Sequence, residues 1–212
     1  NLTKTVIITS KSCKKYLSDI DSEKVLEVRG EPTFQSVDKS LEEIYPIYKK
    51  ANQEKDQMIL IALGGGSVID TAKILSLMLS NNIKTSMDAL KKSNDSKLNE
   101  KVKIICVPST AGTGAETTQF STIWDKGEGL KYSIVSNKLN RVIILDSEVS
   151  LTLPNEIRIS TSIDALCQLL ESTWSKKADK FSIKSAKLGY QILKNNITNA
   201  INNPKNKDSK LS

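Results

Sequence analysis

A chain of 212 residues with 38% hydrophobic and 26% charged side chains can bury one large core, or one core and part of a second. No apolar run approaches the roughly 20 residues that span a bilayer, so a transmembrane helix is excluded as the organising element. The formal charge of +7 invites a nucleic-acid reading, but the lysines are interspersed with carboxylates and aromatic content is 5%, which gives no clustered basic face or stacking platform. The same excess suits a site for phosphate-bearing ligands, and a lysine-rich background explains it equally well. Cys13, Cys106 and Cys167 are odd in number and uneven in spacing, as expected of reduced thiols. No signal-peptide pattern precedes the first strand, so a cytoplasmic protein with no membrane or nucleic-acid partner is expected. Histidine is absent, which removes the commonest general acid/base and metal ligand together. The chain begins with Asn, which reads as a fragment or a trimmed product.

Thr5 to Thr9, around Val6-Ile7-Ile8, predicts a short buried strand, Lys11 to Leu17 a helix and Lys24 to Val28 a second strand. Val37, Leu41, Ile44 and Ile47 recur at helical spacing, which predicts a helix over Phe34 to Ala51 despite Pro46. The run Met58 to Leu63 is too short for a helix and ends in glycines, the pattern of a central parallel strand. Ser67 to Leu79 follows as a helix capped at Ser67. Ser80 to Glu100 is polar and reads as a surface excursion with a short helix at Met87 to Lys91.

Val102 to Val107 resumes the sheet and Pro108 stops it; Ser121 to Trp124 and Tyr132 to Val135 pair across Gly127-Glu128-Gly129, and Val142 to Leu145 is a last strand. Beyond Leu153-Pro154 only helical patterns occur, Asn155 to Trp174 and Phe181 to Ile201, before a polar end at Asn202 to Ser212. The expected organisation is an α/β domain over 1–149, with a parallel sheet covered on both faces, and the first helices of an all-α domain over 150–212.

Two loops carry chemistry. Gly64-Gly65-Gly66-Ser67 joins strand to helix, where glycines allow positive φ and close backbone approach, and a helix N-terminus offers N–H donors to a pyrophosphate. A lone triple glycine is an ordinary turn about as often as an anion site. Asp70, one turn into the helix, and Lys73, three residues on, favour the site. Pro108 to Thr118 is a second loop of small and hydroxyl residues after a neighbouring strand, at the carboxyl end of the sheet where ligands bind in open α/β folds.

The order GGGSVIDTAK, VPSTAGTGAETT, a Lys-Tyr strand, ILD, LP and IDALCQLLES resembles the iron-containing alcohol dehydrogenases, a group related to dehydroquinate synthase and glycerol dehydrogenase. The resemblance implies a Rossmann-like domain followed by a helical one, NAD or NADP as hydride carrier, a small aldehyde or alcohol as substrate, and a divalent metal, Fe or Zn, that polarises the substrate oxygen. It implies that Gly64, Gly65, Gly66 and Ser67 hold the pyrophosphate, with Asp70 behind them. Thr110, Thr113 and Thr118 would line the cofactor cleft and Lys131 would contact the cofactor. Glu27 would read the adenosine ribose, whereas Arg29 would welcome a 2′-phosphate. Thr122 to Asp125, Lys131 to Ser133 and Glu171 to Ser175 are most similar to the phosphonoacetaldehyde reductase branch.

The family's metal pattern pairs an Asp with a His four residues later. Asp164 fits, but its partner is Gln168, with Cys167 beside it, and the chain ends before the family's remaining histidine ligands. One carboxylate and one amide are too poor a donor set for Fe²⁺ or Zn²⁺. The sequence therefore leaves two readings open: an oxidoreductase, or a truncated or degenerate non-catalytic nucleotide-binding homologue. A homo-oligomer is expected from the helical segment's apolar faces.

Overall fold

The computed structural model describes residues 4–93, 101–151 and 153–202. They form two compact units, Asn1–Pro108 with Ala115–Ile144, and Ser109–Gly114 with Leu145–Ser212. Parts of the polar excursion (94–100) and of the polar C-terminal end (203–212) lie outside the described residues.

The first unit is built on β1 (Thr5–Ser10), β2 (Lys24–Val28), β3 (Met58–Gly64), β4 (Val102–Pro108) and β7 (Arg141–Ile143), all parallel, in the order β2-β1-β3-β4-β7. Alternate strand residues Val6, Ile8, Leu60, Ala62 and Ile104 pack with Val37, Leu41 and Ile44 of α1 (Phe34–Glu54) and with Ile69, Ala72 and Leu75 of α2 (Gly66–Ser80). A continuous apolar strand such as β3 needs this covering, since both of its faces lie away from water. Helix α2 is buried from Val68 to Leu79 without interruption, as expected for a helix deep inside a domain. Helix α1 starts in a capping box: Ser36 N–H donates to Thr33 Oγ1 and Thr33 N–H donates to Ser36 Oγ. It runs through Pro46 and on to Glu54, three residues past the expected end.

A separate antiparallel pair, β5 (Phe120–Asp125) and β6 (Leu130–Val135), closes through a turn in which Asp125 Oδ1 accepts from the N–H groups of Gly127 and Glu128 and Gly129 takes φ +65°. The hairpin is tied to the start of α1, because Trp124 N–H donates to the Pro32 carbonyl at 2.8 Å. The helix expected over Lys11 to Leu17 is a 3-10 helix, Lys11–Tyr16. Two expectations are corrected here. The last strand is Arg141–Ile143 rather than Val142 to Leu145. Helix α2 begins at Gly66 with Gly65 as its cap residue, so Ser67 lies inside the helix and caps nothing.

The short helix expected at Met87 to Lys91 forms as α3 (Ser86–Lys91) of the first unit, and the second unit holds α4 (Ser147–Ser150), α5 (Asn155–Trp174) and α6 (Lys180–Asn202). The one-turn helix α4 has no apolar period and went unpredicted. Helices α5 and α6 approach closely at Gly189, where an added Cβ would come within 2.6 Å of Leu169 Cδ2. Gly112 belongs to this unit and is pressed on α5, since a Cβ there would stand 2.8 Å from the Thr161 carbonyl oxygen.

Candidate nucleotide-binding site

In a parallel sheet of this order, β1 leads outward to β2 on one side while β3 and β4 continue on the other. The crevice beyond the carboxyl ends of β1 and β3 is therefore the switch point at which open α/β sheets bind ligands. β1 ends at Ser10 and β3 at Gly64, with Thr9 level with Leu63 and its hydroxyl donating to the Leu63 carbonyl at 2.9 Å. The glycine turn thus opens at the switch point. Ser10, at the end of β1, and Ser12, in the 3-10 helix that follows, have hydroxyl oxygens 3.0 Å apart, and neither belongs to a motif in the sequence.

None of the three glycines takes a positive φ among the described residues, which corrects one reason expected for them. Gly64 is required by space instead: a Cβ there would lie 2.5 Å from Val68 Cγ2 and 2.8 Å from Val68 Cβ. Gly65 is extended (φ −78°, ψ −171°), and no side chain caps the first turn of α2. The first amides of a helix have no carbonyl partner of their own, and the helix dipole adds partial positive charge there. Gly66 and Ser67, both half-buried, supply such amides at the turn.

Asp70, one turn into α2, is engaged within the protein. Its Oδ2 accepts from Thr122 N–H at 2.9 Å, and its Oδ1 lies 3.0 Å from Lys73 Nζ, an ion pair off the line of a hydrogen bond. Lys73 is fully buried and donates to the Ala115 carbonyl at 2.8 Å, to the Phe120 carbonyl and, at 3.4 Å, to Thr118 Oγ1. Burial dominates both groups: it raises the Asp70 pKa and lowers that of Lys73, each against the pull of the other's charge. Arg141 holds the same loop from β7, donating to the carbonyls of Thr117 and Thr118 at 2.6 Å each. Arg141 lies outside both glycine-rich segments and carries no motif signal in the sequence; Lys73 counts toward the site there, but its complete burial is visible only in the fold.

Thr118 is brought together with α2 in this way. Lys131 is exposed at the start of β6, opposite Trp124, with Nζ 6.0 Å from the indole centroid. Glu27 sits at the carboxyl end of β2, where Lys14 and Arg29 both engage its carboxylate and hold its pKa below the usual range. Thr110, half-buried, and Thr113, exposed, fall in the second unit with Asp164 and Gln168. There the Gln168 amide donates to Asp164 Oδ2 at 3.0 Å. Among the described residues, no three His, Cys, Asp or Glu side chains gather as a metal would require. Asp164 and Gln168 alone do not fit a resident Fe²⁺ or Zn²⁺.

Residues 2–147 match the sequence model of the iron-containing alcohol dehydrogenases. The chain belongs to this family. It is 33% identical over 154 residues to an aldehyde-alcohol dehydrogenase of Streptococcus pneumoniae, covering 66% of this chain and 17% of that protein. Against the NADPH-dependent butanol dehydrogenase of Clostridium saccharobutylicum the identity is 36% over 114 residues, covering 53% and 29%. The structure superposes on the iron-containing alcohol dehydrogenase of Thermotoga maritima with a TM-score of 0.77 and 26% identity, covering 99% of this chain and 58% of that one. The chain therefore spans little more than half the length of that solved family member and a smaller share of the two curated relatives. The α/β architecture with a parallel sheet followed by helices is that of the family. No described helix is long and apolar enough to cross a membrane.

Proposed function

We propose that this iron-containing alcohol dehydrogenase family member binds NAD(H) or NADP(H) at the Gly64–Ser67 turn and serves the interconversion of a small aldehyde and its alcohol. The observation that carries the reading is a helix start with no side-chain cap, formed by the last of three glycines, at the switch point of a parallel sheet. A dinucleotide held there would supply the hydride equivalent for reduction of a carbonyl, or accept it in oxidation of the alcohol. The residues of this chain bind and orient the dinucleotide: amides of Gly66 and Ser67 on the pyrophosphate, Thr118 and Lys131 farther along it, and Glu27 with Arg29 toward the adenosine ribose. Because Lys14 and Arg29 neutralise Glu27, the site does not repel a 2′-phosphate, and both cofactors are admitted. No step is assigned to a metal, since Asp164 and Gln168 do not hold one. Phosphonoacetaldehyde, reduced to 2-hydroxyethylphosphonate, is the proposed substrate, on the resemblance of Thr122 to Asp125 and Lys131 to Ser133 to that branch.

The test is titration with NADH and NADPH followed by nicotinamide fluorescence. Gly65 has dihedrals that valine also adopts, so Gly65→Val should leave the fold intact while its methyls occupy the pyrophosphate position. Saturable binding in the parent and its loss in Gly65→Val is expected. Equal affinity in a folded variant would place the dinucleotide elsewhere.

A further inference from the structure

We propose that the cavity lined by the segment before β5 and by the β6–β7 connection binds a small phosphate-bearing molecule, independently of the glycine turn. It has a volume of about 460 Å³, in the range of small-ligand sites, and its lining belongs wholly to the first unit. Thr117 and Gln119 line it from the segment before β5, and Ser136, Lys138 and Arg141 from the connection and the first residue of β7. Among the described residues no carboxylate lines it, and neither does any residue of the turn at 64–67. Ser136 is fixed by its backbone, whose N–H donates to the Gln119 carbonyl at 2.9 Å. Its side chain is 2% exposed, yet the hydroxyl has no hydrogen-bond partner in the protein. Buried polar groups are nearly always paired, so an unpaired hydroxyl lining a cavity calls for a partner from outside the chain.

The charges beside it define that partner. Arg141 donates to the carbonyls of Thr117 and Thr118, which are neutral acceptors, so its positive charge stays uncompensated and N–H groups of the guanidinium remain for a ligand. Lys138 is exposed and has no carboxylate partner among the described residues. Two such cations on a cavity free of negative charge attract a dianion. A phosphate group has oxygens enough to accept from the Ser136 hydroxyl, the Arg141 guanidinium and the Lys138 ammonium together, whereas a carboxylate brings a single charge. The grip on the Thr117 and Thr118 carbonyls accounts for Arg141 alone and leaves Ser136 and Lys138 without a role.

The probe is inorganic phosphate, titrated into the ¹⁵N-labelled full chain at constant ionic strength. The amide resonances of Ser136, Asn137 and Lys138 should shift together along one saturable curve. Shifts confined to Gly65, Gly66 and Ser67 would place phosphate at the turn, which overturns this proposal and leaves the nucleotide reading standing. Saturation at Ser136 to Lys138 in a chain that binds no dinucleotide would separate the two the other way. In Ser136→Ala the Kd for phosphate should rise by about 10- to 100-fold, the loss of a hydrogen bond to a charged group, and in Lys138→Gln by about two- to fivefold. Without phosphate, Ser136→Ala should melt at or above the parent's Tm, since it deletes an unpaired buried group. A Tm lower by more than about 3 °C would show that the hydroxyl already has a protein partner and would overturn the proposal, as would an unchanged Kd in the folded variant. Should Ser136→Ala not fold, the parent decides: amides of Ser136 to Lys138 that do not move with phosphate would overturn the site.

Discussion

Gly64→Ala isolates the packing demand at the turn from any change in charge or hydrogen bonding. The added methyl would meet Val68 Cγ2 at 2.5 Å and Val68 Cβ at 2.8 Å. Valine in a helix has essentially one χ1 rotamer, so its methyls cannot swing clear, and its Cβ is fixed to the backbone in any case. The strand end and the first turn of α2 must therefore move apart, and overpacking of this kind costs about 1–3 kcal/mol. For a chain of this size that is a fall of roughly 2–12 °C in Tm. Val68→Ala removes the 2.5 Å contact but leaves the 2.8 Å one. The double variant should accordingly recover part of the loss, with a favourable coupling of about 1 kcal/mol. Trp124 fluorescence in a Trp174→Phe background reports the sheet unit alone, since Trp174 is 69% exposed on α5. Because the helix start shifts, NADH affinity should fall in Gly64→Ala as well. Strictly additive penalties, or a Tm within about 1 °C of the parent, would refute the steric reasoning.

Lowering the pH should weaken the fold through Glu27. Its folded pKa lies below its ordinary value of 4.5, chiefly through Lys14 and then Arg29, so its contribution is present above that value and lost as pH falls through the folded pKa. The urea midpoint of Glu27→Gln should lie below the parent's at neutral pH and converge on it in acid; a constant gap would contradict this. Thiol labelling should find Cys167 first: it is exposed, whereas Cys13 and Cys106 are buried and burial pushes the Cys106 thiol up to about 11. Fast labelling at Cys106 in the folded chain would count against the packing of β4. Zinc competition against a chromogenic chelator should show no stoichiometric site in this chain, and Gln168→His should strengthen binding by adding an imidazole four residues from Asp164. Tight binding in the parent that disappears in Asp164→Ala would show that the amide suffices.

Much of the sheet unit was legible because each central strand is a short apolar run with a hard stop. Met58 to Leu63 ends in glycine and Val102 to Val107 in proline, and the structure adds a single residue to each. Helix α5 has the expected bounds, and α1 differs only in its last turn. What the sequence concealed depends on tertiary context. Gly64 is needed for Val68, a neighbour that only the folded turn brings within reach, and Gly112 for the main chain at Thr161. Asp70 and Lys73 stand three apart on a helix, a spacing shared by solvated surface pairs; only complete burial of α2 turns them inward. The short strand Arg141–Ile143 is displaced from the apolar run it was read from because its pairing with β4 begins at Ile104 and Arg141 is needed at the Thr117 and Thr118 carbonyls.

The placement of β7 beside β4 also sets a timetable for synthesis. β4 ends at Pro108, and the strand that covers its outer edge starts only at Arg141. At about 5–20 residues per second, the ribosome takes roughly 2–7 s to deliver it. Throughout that interval Val102, Ile104 and Cys106 belong to a strand with an open side, able to recruit any other extended segment nearby. Nascent chains of this protein should be most vulnerable to misassembly, and most dependent on chaperone shielding, in that window, before Arg141 brings the final parallel partner into register.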